Sequence, residues 1–154
     1  AWAPYTSNRI IYTDNEFRYQ SYVYHQWLSE PAEMVSALVT RDLRESGLSP
    51  AVNAFEGDAA ATHRLGGVVE AFFEADRKPA WEAVCAITIT LTDLRQQGAA
   101  EAILLQKTYV SRFPLAQNNP LGLARAMSRC MSEISRELIN DINGALRSAA
   151  KTSG

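Results

Sequence analysis

Apolar and polar positions alternate most regularly between residues 81 and 93. Every second position there is apolar: Cys85, Ile87, Ile89 and Leu91. The positions between them are mostly threonine: Ala86, Thr88, Thr90 and Thr92. A period of two places successive side chains on opposite faces of a strand. We therefore predict a half-buried strand, with Ile87 and Ile89 in the core and Thr88 and Thr90 outside it.

Weaker strand patterns lie on both sides of this segment. They predict a hairpin with strands at 9–13 and 17–24 and a turn at Asp14 and Asn15, a short strand at 49–55, and strands at 62–74 and 101–112. In 62–74 one face is expected to carry the small and apolar residues Leu65, Gly67, Val69, Ala71 and Phe73. Glu70 and Glu74 then share the opposite, solvated face.

Two segments have the period of a helix. Residues 31–46 begin with Pro31 and are followed by Gly47, as helix starts and ends often are. The second helix is predicted from a cap at Asn119 and a first position at Pro120 to about residue 149. Its apolar stripe comprises Leu123, Met127, Cys130, Met131, Ile134, Leu138, Ile142 and Leu146.

These elements predict the fold class. A mostly antiparallel sheet and two amphipathic helices bury their apolar surfaces most economically as an α+β two-layer sandwich with both helices on one face. With 154 residues, the chain 1–154 is expected to form a single domain.

Composition excludes several classes of function. Apolar residues make up 47% of the chain, and the formal net charge of −2 gives no electrostatic basis for nucleic-acid binding. No apolar run is long enough to cross a bilayer. The only cysteines, Cys85 and Cys130, are expected to be small buried apolar residues, with a disulfide as the alternative.

The sequence contains no recognisable catalytic or metal motif. His25 and His63 are far apart and belong to no zinc-binding pattern, so they are expected to be structural or solvent-facing. Gly66 and Gly67 lack a surrounding phosphate-binding motif, which favours a bulge or a close backbone approach. We therefore predict no enzymatic activity, no cofactor and no metal.

The aromatic residues Tyr22, Tyr24 and Trp27 allow two interpretations. They can form cross-strand pairs that stabilise the hairpin. Alternatively, exposed rings among them can form a partner-binding or self-association surface, because tyrosine and tryptophan combine a large contact area with a polar group.

The stretch RIIYTDNEFRYQSYVYHQW, followed by the PAEM that begins the first helix, resembles the ABC-type transport auxiliary lipoproteins, the family of the paraquat-inducible C lipoprotein. AITITLTDLRQQG and LLQKTYVSRFPL resemble later strands of that family, so the resemblance extends over nearly the whole chain.

The resemblance implies a role in transport and supplies no active-site residues. It implies a periplasm-facing lipoprotein, anchored to the outer membrane through a lipidated cysteine upstream that follows a signal peptide. The upstream segment can also contribute a first strand. Its expected partner is an MCE (mammalian cell entry)-type substrate-binding protein of an ABC lipid-transport system, and self-association is a further expectation.

The alternative is a small module that holds a lipid or another apolar ligand between sheet and helices. The flexible apolar side chains of Met34, Met127, Met131 and Leu138 motivate it.

Overall fold

The computed structural model describes residues 5–15, 18–53, 60–77, 79–98 and 102–152. Their secondary structure follows the order β1 (Arg9–Asn15), β2 (Arg18–Gln26), α1 (Pro31–Ser46), β3 (His63–Arg77), β4 (Ala80–Asp93), β5 (Ile103–Pro114) and α2 (Pro120–Thr152). The strands form one sheet in the order β2-β1-β3-β4-β5. Only β1 and β3 run parallel, and the other neighbours are antiparallel. The predicted α+β class is confirmed.

Both helices cover the same face of the sheet, which we call the helix-covered face. Helix α2 packs across β4 and β5, while α1 packs against α2 and β3. Cys85 and Ile87 of β4 share the core with Cys130 and Leu138 of α2. The predicted apolar stripe of α2 is buried from Leu123 to Ile142 and becomes half-buried at Leu146.

The alternation predicted for β4 is present. Ile87 and Ile89 are 1% and 5% exposed and belong to the core cluster, whereas Thr88 and Thr90 are only half-buried on the opposite, open face. Nearer the N-terminal end of β4, Val84 is buried although it lies on the open face. It pairs with Phe73 on β3 and Arg112 on β5, and the long side chains of these two residues cover it.

The face predicted for β3 is interrupted by a β-bulge. The pairing register with β4 shifts between Val69 and Ala71, so Glu70 is an extra residue. Val69 pairs with Ile87 on the helix-covered face, but Ala71 and Phe73 lie on the open face. The prediction of one continuous apolar face through residues 65–73 is therefore wrong, because an extra residue inverts the alternation.

The same bulge corrects the prediction for the two glutamates. Glu70 is exposed as expected, but Glu74 is 0% exposed and lies on the helix-covered face. A shared solvated face is therefore wrong for Glu74.

The structure also corrects the predicted hairpin turn. Asp14 and Asn15 both belong to β1, and Asn15 pairs with Arg18, so the prediction of a turn at these two residues is wrong. The preference of these residues for turns was outweighed by strand pairing.

The short strand predicted at 49–55 is absent from residues 49–53, and residues 54 and 55 lie outside the described part of the chain. Pro50 has no N–H to donate to a ladder. The carbonyl of Val52 accepts a hydrogen bond from Arg44 Nε at 2.8 Å, which attaches this segment to the end of α1.

The helix ends match the predicted signals. Asn119 Oδ1 accepts a hydrogen bond from the backbone N–H of Gly122 at 2.7 Å, which satisfies a free donor of the first turn of α2. A Cβ atom at Gly122 would lie 1.9 Å from the carbonyl oxygen of Gln117, so only glycine fits there. Gly47 ends α1 with a φ of 68°.

Polar side chains form hydrogen bonds between α2 and the sheet and between the two helices. Asp141 of α2 accepts hydrogen bonds from Lys107 Nζ at 2.7 Å and from the hydroxyl of Tyr109 at 2.9 Å, both on β5. Ser135 of α2 donates to Asp42 of α1 at 2.6 Å. These contacts fix the direction of α2 over β5 and the position of α1 beside it.

We predict that Ile89→Ala lowers the free energy of unfolding by about 2–5 kcal/mol, because it removes buried contacts and leaves a cavity. Thr88→Ala on the open face should cost less than about 1 kcal/mol. Chemical denaturation of both variants measures the difference. Equal losses would mean that the two faces of β4 are equally buried.

We also predict that truncation after Asn119 abolishes cooperative unfolding, because it removes α2 from the core. Thermal melts followed by near-ultraviolet circular dichroism test this. A sharp transition with native-like aromatic signals in the truncated protein would contradict the prediction.

Candidate partner-binding surface

Strand β2 carries Tyr22 and Tyr24, with Trp27 directly after it, and the strand lies at the edge of the sheet. It pairs with β1 on one side only. Beyond its last residue, the N–H of Trp27 donates to the carbonyl of Asn8 at 2.7 Å, which ties the following segment to the start of β1. An edge strand leaves one row of backbone groups open to other molecules.

Three apolar side chains are strongly exposed at this edge. Val23 is 79% exposed, Tyr24 is 92% exposed, and Leu28, which follows the strand, is 99% exposed. We call Val23, Tyr24 and Leu28 the β2 edge surface. Val23 and Tyr24 point to opposite sides of the strand, so this surface extends around the edge of the sheet.

Tyr22 is half-buried and turned toward the core. Its hydroxyl donates to Glu74 Oε1 at 3.0 Å, and its ring meets Tyr12 edge-on at a centroid distance of 5.0 Å. Burial, and then the charge of Glu74, raise the pKa of Tyr22 to about 12. Tyr22 therefore links β2 to β3 across the intervening strand β1.

Trp27 is half-buried as well. Its ring lies edge-on to Phe72 at 5.4 Å and packs against the core cluster. Its indole N–H is buried and has no hydrogen-bond partner within the described part of the chain. Of the three predicted surface residues, the structure leaves Tyr24 exposed and uses Tyr22 and Trp27 to attach β2 to the sheet.

Sequence reasoning missed Val23 and Leu28. Val23 is not aromatic, although its place between two tyrosines in an alternating strand puts its side chain on the opposite face from both. Leu28 follows the strand and precedes the helix, where no periodic pattern applies, so its exposure had no signal in the sequence.

The structure assembles no metal centre from the described residues: no group of three or more histidine, cysteine, aspartate or glutamate side chains is placed to hold an ion. His25 is exposed beside Tyr22, and His63 accepts from or donates to Thr62 Oγ1 at 2.9 Å. Among the described helices, none is long and apolar enough to cross a membrane.

Glu74 is the most unusual ionisable group near β2. Only its Oε1 atom is bonded, to Tyr22, while Oε2 is buried without a hydrogen-bond partner among the described residues. Burial raises the pKa of Glu74 and the nearby charge of Asp76 adds to this, while the Tyr22 hydrogen bond acts in the opposite direction. Ionised Glu74 therefore opposes folding.

This environment predicts how stability depends on pH. Because the pKa of Glu74 is higher in the folded than in the unfolded state, the folded state holds more protons, and its stability falls as pH rises from about 4.5 through the folded pKa. Glu74→Gln should remove this part of the decline, whereas Glu70→Gln, at an exposed carboxylate of the same strand, should not. Urea denaturation of both variants between pH 4 and 8 is the measurement. Parallel pH profiles for wild type and Glu74→Gln would contradict the prediction.

Two solved structures share the fold. A protein from Xanthomonas campestris assigned to the family model DUF330 is 19% identical, with a TM-score of 0.78 over 94% of this chain and 81% of that one. An uncharacterised protein is 12% identical, with a TM-score of 0.73 over 91% of this chain and 85% of that one. No curated protein matches the chain.

The family model described as the ABC-type transport auxiliary lipoprotein component matches residues 5–139. This match includes the aromatic strand β2, its junction with α1, all of the sheet and most of α2. The resemblance noted in the sequence is confirmed, and the chain belongs to the family of ABC-type transport auxiliary lipoprotein components.

Proposed function

We propose that this chain is a non-enzymatic, single-domain docking subunit of an MCE-associated ABC system that transports lipids. It faces the periplasm and is held at the outer membrane by a lipid anchor on a cysteine upstream of Ala1. Family membership supports the transport role and the lipoprotein character. The anchor localises the domain, and the domain binds the MCE-type substrate-binding protein and further copies of itself.

The β2 edge surface is the observation that carries the docking role. Val23, Tyr24 and Leu28 place three apolar side chains in water at an edge strand. Such exposure costs free energy in an isolated domain and is recovered when a partner covers it. Tyrosine is also among the residues that contribute most at protein interfaces.

Tyr22 and Trp27 have a supporting role in this proposal. The Tyr22–Glu74 hydrogen bond and the packing of Trp27 on Phe72 hold β2 and the following segment at fixed positions. A surface that is already ordered loses less conformational entropy on binding than a mobile one. These two rings therefore support binding by keeping Tyr24 and Leu28 in place.

We predict that Tyr24→Ala and Leu28→Ala each weaken binding to the MCE-type partner or self-association by about 2 kcal/mol, or roughly 30-fold in Kd. Both side chains are almost fully exposed, so the melting temperature should stay unchanged. Leu121→Ala is the matched control, because Leu121 is 55% exposed on α2 and lies outside the β2 edge surface. Biolayer interferometry measures partner binding, and sedimentation velocity measures self-association.

Parallel melts separate an interface effect from unfolding. Tyr22→Phe should lower stability through the loss of the Glu74 hydrogen bond and affect binding only in proportion. If Tyr24→Ala and Leu28→Ala bind and self-associate as tightly as Leu121→Ala, the partner surface lies elsewhere on the domain.

A further inference from the structure

Four exposed arginines lie along one side of α2: Arg125, Arg129, Arg136 and Arg147. At about 3.6 residues per turn, their positions fall within an arc of about 40° and extend over about 33 Å of the helix. This arc is opposite the buried apolar stripe that faces the sheet. We call these four residues the arginine line.

The acidic side chains of α2 have partners on β5 instead. Glu133 accepts a hydrogen bond from Ser111 Oγ. Asp141 accepts one from Lys107 Nζ at 2.7 Å, and the same Nζ atom lies 3.9 Å from Glu137. The negative charges of this helix are therefore held toward the edge of the sheet and away from the arginine line.

The arginine line is not neutralised within the described part of the chain. None of its members forms an ion pair with another described residue. Arg125 and Arg129 are four residues apart, a spacing at which like charges repel each other on a helix. A domain with a formal net charge of −2 thus carries one concentrated positive surface.

A shallow depression of about 350 Å³ lies between Arg129 and Arg136. Ser128 and Ser132 line it, and their hydroxyls donate to backbone carbonyls of the preceding turn at 2.9 Å. Glu133 also borders the depression, but its carboxylate is bonded to β5. The short serine side chains leave room for a phosphate group to approach both guanidinium groups, which bind phosphate oxygens through paired N–H donors.

The apolar cavity of the domain lies on a different side of α2. It has a volume of about 1120 Å³ between the sheet, α1 and the end of α2, and its lining includes Val35, Val39, Ile87, Ile89, Ile142 and Leu146. The side chains that motivated the apolar-ligand alternative are located elsewhere: Met127, Met131 and Leu138 are buried in the core, and Met34 packs against it.

The described chain begins on the same side of the sheet as α2. Tyr5, its first residue, lies beside Phe72 and packs against the core cluster under the helices. A lipid anchor upstream of Ala1 therefore connects to the domain on the helix-covered side, which is also the side of the arginine line.

We propose that the arginine line docks on the surface of the bilayer that carries the lipid anchor, by binding the phosphate groups of anionic phospholipids. This inference rests on the anchor in the proposed function, and the chain's membership of a lipoprotein family favours a membrane over a dissolved polyanion. The anchor keeps the local concentration of lipid phosphate high, so a weak electrostatic contact is enough to orient the domain.

This docking gives the domain one orientation. With α2 against the bilayer, the open face of the sheet points away from the membrane. The β2 edge surface then stays accessible at the side of the domain for the partner.

Co-sedimentation of the chain with large unilamellar vesicles tests the proposal. The vesicles contain phosphatidylcholine alone, or phosphatidylcholine and phosphatidylglycerol in equal amounts. Produced without a lipid, the chain can bind only through its protein surface. At low salt it should bind the mixed vesicles at least about tenfold more tightly than the neutral ones, and about 1 M salt should abolish the difference.

Two variants of equal net charge separate the arginine line from overall charge. The line variant replaces all four arginines of the line by glutamine. The control variant makes the same change at four exposed arginines of the strands: Arg9, Arg18, Arg77 and Arg112. Only the line variant should bind the mixed vesicles more weakly than wild type, by at least about tenfold. Thermal melts verify that both variants remain folded.

Partner binding of the same variants distinguishes this inference from the proposed function. The line variant should bind the MCE-type partner as tightly as wild type, because the β2 edge surface is unchanged. Equal weakening of partner and vesicle binding would overturn the inference, because the arginines would then belong to the partner interface.

Other outcomes would also overturn it. One is absence of binding to the mixed vesicles, and another is an equal loss in the line and control variants, which would implicate overall charge. Displacement of the vesicles by inorganic phosphate at constant ionic strength would make the depression a site for a single phosphate ion. Binding of heparin without binding of vesicles would identify a dissolved polyanion as the occupant.

Discussion

The arrangement of this domain depends on one extra residue in β3. The bulge at Glu70 inverts the alternation of side chains, so that Phe72 and Glu74 enter the helix-covered face and Phe73 leaves it. Without it, the carboxyl group of Glu74 would point to the open face and Tyr22 would lose its partner across the sheet. The bulge thus couples the central strand to the edge strand, at the cost of a buried, half-satisfied carboxylate.

The two ends of β3 consequently have different surroundings. The C-terminal half is enclosed by β1, β4 and the aromatic side chains of Tyr22 and Trp27. The N-terminal half lacks a described strand on one side and faces a cavity below α1. Regions with few packed neighbours and exposed backbone hydrogen bonds open more readily than the core does. Rigidity is therefore expected to be unequal along one continuous strand.

The sequence predicted those elements whose local pattern agreed with their tertiary environment. Ile87 and Ile89, the apolar stripe of α2, and the helix signals at Asn119 and Gly47 all occupy the predicted positions. The burial of Glu74 was not predictable, because a one-residue bulge has no periodic signature and a carboxylate is normally solvated. The sequence also did not predict that Tyr24 is exposed while Tyr22 is half-buried. That difference depends on tertiary structure, because Tyr22 reaches Glu74 of β3 across β1.

The two thiols have a chemical consequence of their own. Cys85 and Cys130 are free and fully buried, with Cys85 Sγ 3.5 Å from Met131 Sδ and Cys130 Sγ 3.6 Å from the carbonyl oxygen of Ala83. Burial raises the pKa of Cys85 to about 12, so at neutral pH this residue is held as the unreactive thiol. No disulfide between these two residues contributes to the fold. Both thiols are therefore shielded from solvent in the folded protein, and a cysteine introduced on its surface would react with a thiol-directed label faster than either of them.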